Sequence, residues 1–272
     1  MNDLKPQFTH ILITGASSGI GAALALYYAG SGVMLSLSGR DHNRLRDVAA
    51  QARARGAEVY EAVLDVTDRV AMQVWITEAD QRRPLDLVIA NAGISAGMGG
   101  SSGENPDQIR RLFDVNVQGV FNTLDPVIPL MRGRKKGHIA VMSSMAAFRG
   151  WPGAPAYCAT KAAIKTYGEA LRGVMMPSGV KVHVICPGFV ESRMTAVNRF
   201  PMPFMMPASR AAAVIARGIT KNKGRIAFPF IVYVFIWLCA ALPDALAGRI
   251  LRVMPAKHAD ADLTDSKRPK SL

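Results

Sequence analysis

Tyr157 and Lys161 stand four residues apart in the helical pattern PAYCATKAAIKTYGEAL. That spacing puts both side chains on one face of a helix. A free tyrosine titrates near ~10 and is a poor base at neutral pH. A cation held beside it favours the phenolate, so the pair could give and take a proton. The same spacing is also ordinary patterning on a helix surface. Upstream, the run HIAVMSS ends in Ser143 and Ser144. A hydroxyl there could hydrogen-bond a substrate oxygen and stabilise charge that develops on it. A second constellation lies near the start of the chain, in HILITGASSGIGAAL. Gly15, Gly19 and Gly21 let the backbone turn tightly and come close to an anion, and a helix after them offers free N–H groups. A glycine turn after a strand is often only a turn. Set between a strand and a helix, this one favours a nucleotide pyrophosphate, although its spacing is G-x-x-x-G-x-G, not the commoner G-x-G-x-x-G.

The elements that must position these residues alternate. Strands are expected over 10–14, 33–38, 57–64, 85–90, 138–143, 180–186 and 225–228. Helical spacing of apolar residues fills 19–30, 42–55, 68–82, 106–132, 155–176 and 208–221. Most of the strand runs are solidly apolar, as strands buried on both faces are. Strand–helix alternation of this kind predicts an α/β fold with a parallel sheet covered on both sides. No internal repeat is visible.

Composition narrows the partners. The 272 residues suit one large α/β domain, and half of them are hydrophobic. The formal net charge of +13 fits nucleic acid, an anionic membrane surface or an anionic cofactor. The basic residues form no long tract interleaved with aromatics, so no nucleic-acid partner is expected. Cys158, Cys186 and Cys239 are far apart and odd in number, which gives no disulfide framework and fits a reducing compartment. The five histidines have no metal-ligand spacing, so no metal is expected. The start MNDLKPQFTHILIT lacks a signal-peptide pattern. The expected location is cytoplasmic, with peripheral contact at the inner membrane surface.

TGASSGIG (14–21), NAG (91–93), Asn116, Ser144, YCATK (157–161) and PG (187–188) together resemble the short-chain dehydrogenase/reductase family, in its single-domain branch. The ordered set covers residues 9 to about 228. The resemblance implies a Rossmann-like, doubly wound sheet of seven parallel strands with helices on both faces, and an NAD or NADP cofactor across the carboxyl ends of the strands. It implies cofactor contacts from Gly15, Ser17, Ser18, Gly19, Ile20 and Gly21, from Asp65 and Val66, and from Asn91, Ala92 and Gly93. Tyr157, Lys161, Pro187, Gly188, Val190 and Ser192 complete that set, the last two near the nicotinamide carboxamide. Relatives often carry threonine where Ser192 stands. NAD-binding relatives place an acid at the end of the second strand; here Gly39 is followed by Arg40, and a guanidinium suits a 2′-phosphate. That favours NADP(H), with NAD(H) open if Arg40 is an ordinary solvated side chain and Asp41 holds the ribose. Asp65 can equally be a turn residue, and Asn91 a backbone support.

The family's catalytic set maps onto Asn116, Ser144, Tyr157 and Lys161, with Tyr157 as acid/base, Lys161 as modulator of its pKa and Ser144 as partner of the substrate oxygen. The thirteen-residue separation of Ser144 from Tyr157 favours it over Ser143. Asn116 would support a proton relay, or be a satisfied polar residue in a buried helix. The implied reaction interconverts a ketone and a secondary alcohol. Two rival readings are weaker. A sugar-nucleotide epimerase or dehydratase needs a larger C-terminal substrate domain, and a non-enzymatic cofactor sensor would not need the intact catalytic set. Relatives commonly pair through the helices that carry Asn116 and Tyr157, so a homodimer or homotetramer is expected.

Residues 189–207 form the segment that closes over substrate in this family. Its apolar side chains, Phe204 and Met205 among them, predict a lipophilic carbonyl substrate in contact with Ser144, Tyr157, Phe204 and Met205. A hydrophobic loop packed on the core explains them equally well. For an acidic substrate only Arg193 and Arg199 are at hand. The catalytic domain is expected to span 1–228. The apolar run after Pro229 covers thirteen residues, ~20 Å as a helix against the ~30 Å of a bilayer core. It is expected as a cap over 229–255, continued by an amphipathic piece from Asp244. Lys221, Lys223 and Arg225 before it and Arg249, Arg252 and Lys257 after it suit an anionic membrane surface. Packing over the pocket or between subunits explains the run as well. A polar tail, 256–272, is expected to lack order.

Overall fold

The computed structural model describes residues 7–98, 103–198, 200–243 and 246. In chain order the elements are β1 (His10–Thr14), α1 (Gly19–Tyr28), β2 (Met34–Gly39), α2 (His42–Ala54), β3 (Glu58–Val63), α3 (Arg69–Arg82), β4 (Leu87–Ala90) and α4 (Pro106–Phe113). There follow α5 (Gly119–Arg134), β5 (Gly137–Met142), α6 (Pro155–Met175), β6 (Val180–Pro187), α7 (Arg193–Ala196), α8 (Ala208–Thr220), β7 (Arg225–Phe228) and α9 (Phe230–Ala241). The strands form one sheet in the order β3-β2-β1-β4-β5-β6-β7, every pair parallel. The chain moves outward from β1 to β3, then restarts beside β1 with β4. A crevice opens at that reversal, over the carboxyl ends of β1 and β4, where ligands of such sheets bind.

Alternation along the strands builds a core on each face. Ile11, Ile13, Leu35, Leu37 and Ile89 point to the side covered by α1, α2 and α8. Leu12, Val88, Ile139, Val141 and Val184 point to the side of α3, α5 and α6. Both faces are dry, so the strands read as continuous apolar runs. β3 differs because it is an edge strand, and its residues are half-buried or exposed. Asp41 and Asp68 cap α2 and α3 by accepting the N–H of Arg44 and Ala71, at 2.9 and 3.0 Å. These caps fix where the loops over the crevice end.

The helix expected over 106–132 is not one helix. Five residues of π-helix, Asp114–Gln118, interrupt it between α4 and α5. Such an insertion re-aims the side chains after it and recurs at functional sites; this one contains Asn116. Gly119 follows where α5 comes nearest β3's exit loop: a Cβ there would meet Val66 at 2.5 Å.

α9 follows β7 directly and is apolar throughout. Among the described residues no helix is long and apolar enough to cross a membrane. Lys221 and Lys223 precede β7 and are set apart from α9 by that strand, and Arg225 is engaged by Glu169 and the Tyr233 hydroxyl. Arg199, the piece expected from Asp244 with Arg249 and Arg252, Lys257 and the polar tail lie outside the described residues, Leu246 excepted.

Candidate active site

β5 and α6 bring the catalytic candidates together. Ser144 follows β5 by two residues and caps a single 3-10 turn, its Oγ accepting the N–H of Ala146 at 3.1 Å. Tyr157 is in the first turn of α6, and its phenol hydrogen-bonds with Ser144. Burial pushes the phenol up to about 12, with the Ser144 hydrogen bond pulling the other way. Lys161, one turn further along, is buried, and its Nζ donates to the Met142 carbonyl at 3.0 Å. Burial pulls this ammonium down to about 8. Nζ lies 5.8 Å from the centre of the Tyr157 ring. The lysine therefore stands behind the tyrosine, whose pKa in this arrangement is set by desolvation against the Ser144 hydrogen bond. Ser143 is separated from Ser144 by its bonding: it is buried and donates to the Lys161 carbonyl at 2.8 Å.

Asn116 is fully buried, yet every polar atom of its amide is used. Oδ1 accepts the N–H of Ile94 at 2.8 Å, and Nδ2 donates to Ile94 O and Thr160 Oγ1 at 3.0 and 3.1 Å. It ties the loop after β4 to α6 one residue before Lys161. Gly93 completes the contact, since a Cβ there would meet Asn116 Oδ1 at 3.1 Å and Lys161 Nζ at 3.3 Å.

The glycine turn is built against that same loop. Gly15 and Gly19 have φ of +67° and +55°, a region costly for other residues. A Cβ on Gly15 would lie 2.8 Å from Ala92 Cα, and one on Gly21 only 2.3 Å from Gly15 O. Asn91 clamps the turn: Nδ2 donates to Thr14 O and Gly15 O at 2.9 and 3.2 Å. The Thr14 hydroxyl accepts the N–H groups of Asn91 and Ala92, both at 3.1 Å, a role the sequence reading missed. Ser18 stands at the N-cap of α1 without a side-chain capping bond, and no acid occupies the first turn. The helix end is thus left electropositive, which fits a pyrophosphate. Ser17 approaches Gly39, where a Cβ would meet its Oγ at 3.0 Å, and Ile20 packs into the core.

At the end of β2 the structure places Arg40 Nη1 3.9 Å from Asp65 Oδ2, with the Arg40 side chain exposed. The same oxygen accepts from Arg111 of α4 at 2.8 Å. Burial pushes the Asp65 carboxyl up, but hydrogen bonds from Thr67 and Arg111 more than offset it and hold it below its usual range. Asp41 is committed to Arg44 at the start of α2. Val66 is buried under α5, and its carbonyl accepts from Asn122 at 2.9 Å.

On the far side of the crevice Pro187 ends β6, and Gly188 donates to Phe228 O at 2.7 Å. Val190 is buried and pairs with Met206, closing the base of the lid. Ser192 caps α7 reciprocally with Thr195. Its hydroxyl lies 3.2 Å from Thr195 Oγ1, so the expected carboxamide contact shares that oxygen with a cap. Gly19 abuts this point, 3.1 Å from Ser192 Cβ to a Cβ placed on it. Phe204 and Met205, expected against substrate, are instead largely exposed, at 60% and 44%. A φ of +57° at Phe204 marks a turn that sends it outward. Phe200 takes the inner place, edge-on to Trp151 at 5.6 Å and to Phe189 at 6.0 Å.

The sequence model of short chain dehydrogenases matches residues 9–201. The chain belongs to the short-chain dehydrogenase family. Among its relatives is an uncharacterized oxidoreductase of Myxococcus xanthus, 40% identical over 89% of this chain and 96% of the relative. An uncharacterized oxidoreductase of Mycobacterium tuberculosis is 33% identical over 88% and 96%. Of solved structures, a short-chain dehydrogenase from Sphingobium yanoikuyae in complex with NADPH superposes with a TM-score of 0.74 at 25% identity, over 93% of this chain and 99% of that one. A short-chain dehydrogenase/reductase from Burkholderia phymatum in complex with NAD gives 0.80 at 23% identity, over 99% and 100%, a likeness of fold. This short-chain dehydrogenase is therefore an oxidoreductase acting on CH–OH and C=O groups.

Proposed function

We propose that this enzyme reduces a lipophilic ketone to a secondary alcohol with NADPH. The observation that carries the reading is the half-buried Tyr157 phenol, hydrogen-bonded to Ser144 and one helical turn from the buried Lys161. Such a phenol keeps its proton at neutral pH and is suited to donate it. The nicotinamide, when bound, supplies the hydride that reaches the carbonyl carbon. Ser144 positions the carbonyl oxygen, Tyr157 Oη gives that oxygen its proton, and the phenolate left behind is reprotonated through Lys161 and the Asn116 region. Two electrons and two hydrogens are thereby added, one hydrogen as hydride and one as proton. The glycine turn, the NAG loop and the turn after β6 would hold the cofactor, and the cradle admits no Cβ at Gly15 or Gly21.

Arg40 supports NADPH, because it is exposed at the end of β2 where a 2′-phosphate would lie, and its ion pair with Asp65 is long, at 3.9 Å. The aromatic cluster in which Trp151 and Phe189 meet Phe200 of the lid supports a lipophilic substrate. The reading includes a homodimer or homotetramer joined through α5 and α6, and contact of α9 with a lipid surface. Initial rates of NADPH and NADH oxidation against ketones of graded chain length test it. NADPH preference and rates that rise with chain length are expected. Preference for NADH would remove the role given to Arg40, and rates flat with chain length would remove the lipophilic pocket.

A further inference from the structure

α9 shows an exposed apolar face that neither catalysis nor the fold accounts for. Phe230, Ile231, Val234, Phe235, Trp237 and Leu238 are between 36% and 75% exposed. At 100° per residue these positions cover one continuous arc of about 160°. Cys239 is buried on the other side, and Tyr233 there meets Phe148 at 5.4 Å and bonds to Arg225, which fixes the helix on the domain. The arc carries no polar side chain and no charge. A contiguous exposed apolar face of this kind marks an interaction surface.

A second apolar projection rises from the same edge. Met194, Val197, Phe204 and Met205 of the lid are exposed, between 37% and 67%. The roots of the lid and of α9 touch: a Cβ on Gly188 would lie 3.1 Å from Pro229, and Gly188 donates to Phe228 O. Both projections therefore leave the carboxyl edge of the sheet beside the site of Ser144 and Tyr157. Among the described residues from Phe189 to Arg210 the charged side chains are Arg193 and Arg210 against Glu191, and the whole protein carries +13.

We propose that this edge docks on an anionic bilayer, with α9 lying in the interface plane, so that a carbonyl lipid enters the site from the membrane. Two apolar projections with a basic fringe suit a continuous fluid surface. A protein partner would be expected to meet about one hydrogen-bonding group per 100–200 Å², and the α9 arc offers none. At twelve residues α9 is about 18 Å long, too short to span and long enough to lie along the surface. The docking rests on the active-site reading only for the substrate it delivers.

The test uses the full chain and vesicles of phosphatidylcholine with or without phosphatidylglycerol. The wild type should float with the anionic vesicles and much less with neutral ones. Trp237 emission should shift to the blue on binding, and Trp237→Phe should remove that shift. The double variant Phe235→Glu/Leu238→Glu should lose flotation at least tenfold and keep its NADPH-dependent turnover of a short, water-soluble ketone. Its turnover of a long-chain ketone dissolved in the vesicles should fall at least tenfold. Wild type that does not float, or a variant that floats equally, overturns the docking. So does a variant whose mass drops by light scattering while the wild type ignores vesicles, because a second copy then covers α9. Failure of the wild type on the short ketone would instead refute the ketone reading and leave flotation to judge the docking.

Discussion

Asp65 holds Arg111 at 2.8 Å and stands 3.9 Å from Arg40, so two guanidinium groups share one carboxylate beside the end of β2. Arg111 saturates the acid, which leaves Arg40 with only a long, exposed ion pair worth little by itself. Arg40 can therefore turn to a phosphate at small cost, while Arg111 is kept by Asp65. A charge-assisted hydrogen bond of about 1.5–3 kcal/mol corresponds to roughly a ten- to hundredfold effect. Arg40→Ala should raise the KM for NADPH by that factor and leave the KM for NADH within about twofold; steady-state kinetics with both cofactors measure it. At this scale the sequence was most legible where function sits in contiguous spacing. Gly15, Gly19, Gly21, Tyr157 and Lys161 are found because a turn or one helix face fixes them locally. Arg111, Thr14 and Trp151 were not found, because each acts through a partner far along the chain, and a lone arginine, threonine or tryptophan carries no local mark. Phe204 and Met205 were misplaced for the same reason: an apolar loop does not reveal which of its residues face inward.

At the scale of elements, strands of solid apolar character were legible in their positions along the chain and their parallel sheet, while two features required tertiary contacts. The π-helical break at Asn116 lies in a stretch whose apolar spacing continues through it, and only the inward reach of Asn116 to Ile94 and Thr160 discloses it. The second is a histidine pair between β5 and β6, far from the active site. His138 Nδ1 and His183 Nε2 are 3.0 Å apart, with their rings stacked at 5.2 Å. Burial, joined by the charges of their neighbours, pulls both down to about 4. Unfolded, each would titrate near ~6.5, so between those values the unfolded chain binds more protons than the folded one. Stability is then full above about pH 6.5, falls as the pH drops toward 4, and levels off below. The expected loss is on the order of 3 kcal/mol for each histidine so shifted. Urea midpoints at pH 7 and pH 4.5 should show it, and His183→Asn should flatten the difference; an unchanged wild-type midpoint would contradict it.

The molecule as a whole joins a strongly basic surface to a crevice lined by glycine backbone and a helix N-terminus, and the two features act on the same ligand. Net charge of +13 adds a long-range attraction for any anion, and NADPH carries more negative charge than NADH. Raising the salt from about 0.01 to 0.15 M shortens the screening length from roughly 30 to 8 Å. The KM for NADPH should therefore climb with salt more steeply than that for NADH, and parallel curves would place the selectivity elsewhere. The proposed reaction depends on Tyr157 being the group that gives up the proton. Tyr157→Phe removes only the phenolic oxygen and keeps the ring that packs in the crevice. Loss of a positioned acid costs typically about 10²–10⁴-fold. The account predicts a kcat for ketone reduction lowered at least a hundredfold, with the Kd for NADPH by fluorescence titration unchanged. A variant that turns over within a few fold of wild type would contradict it.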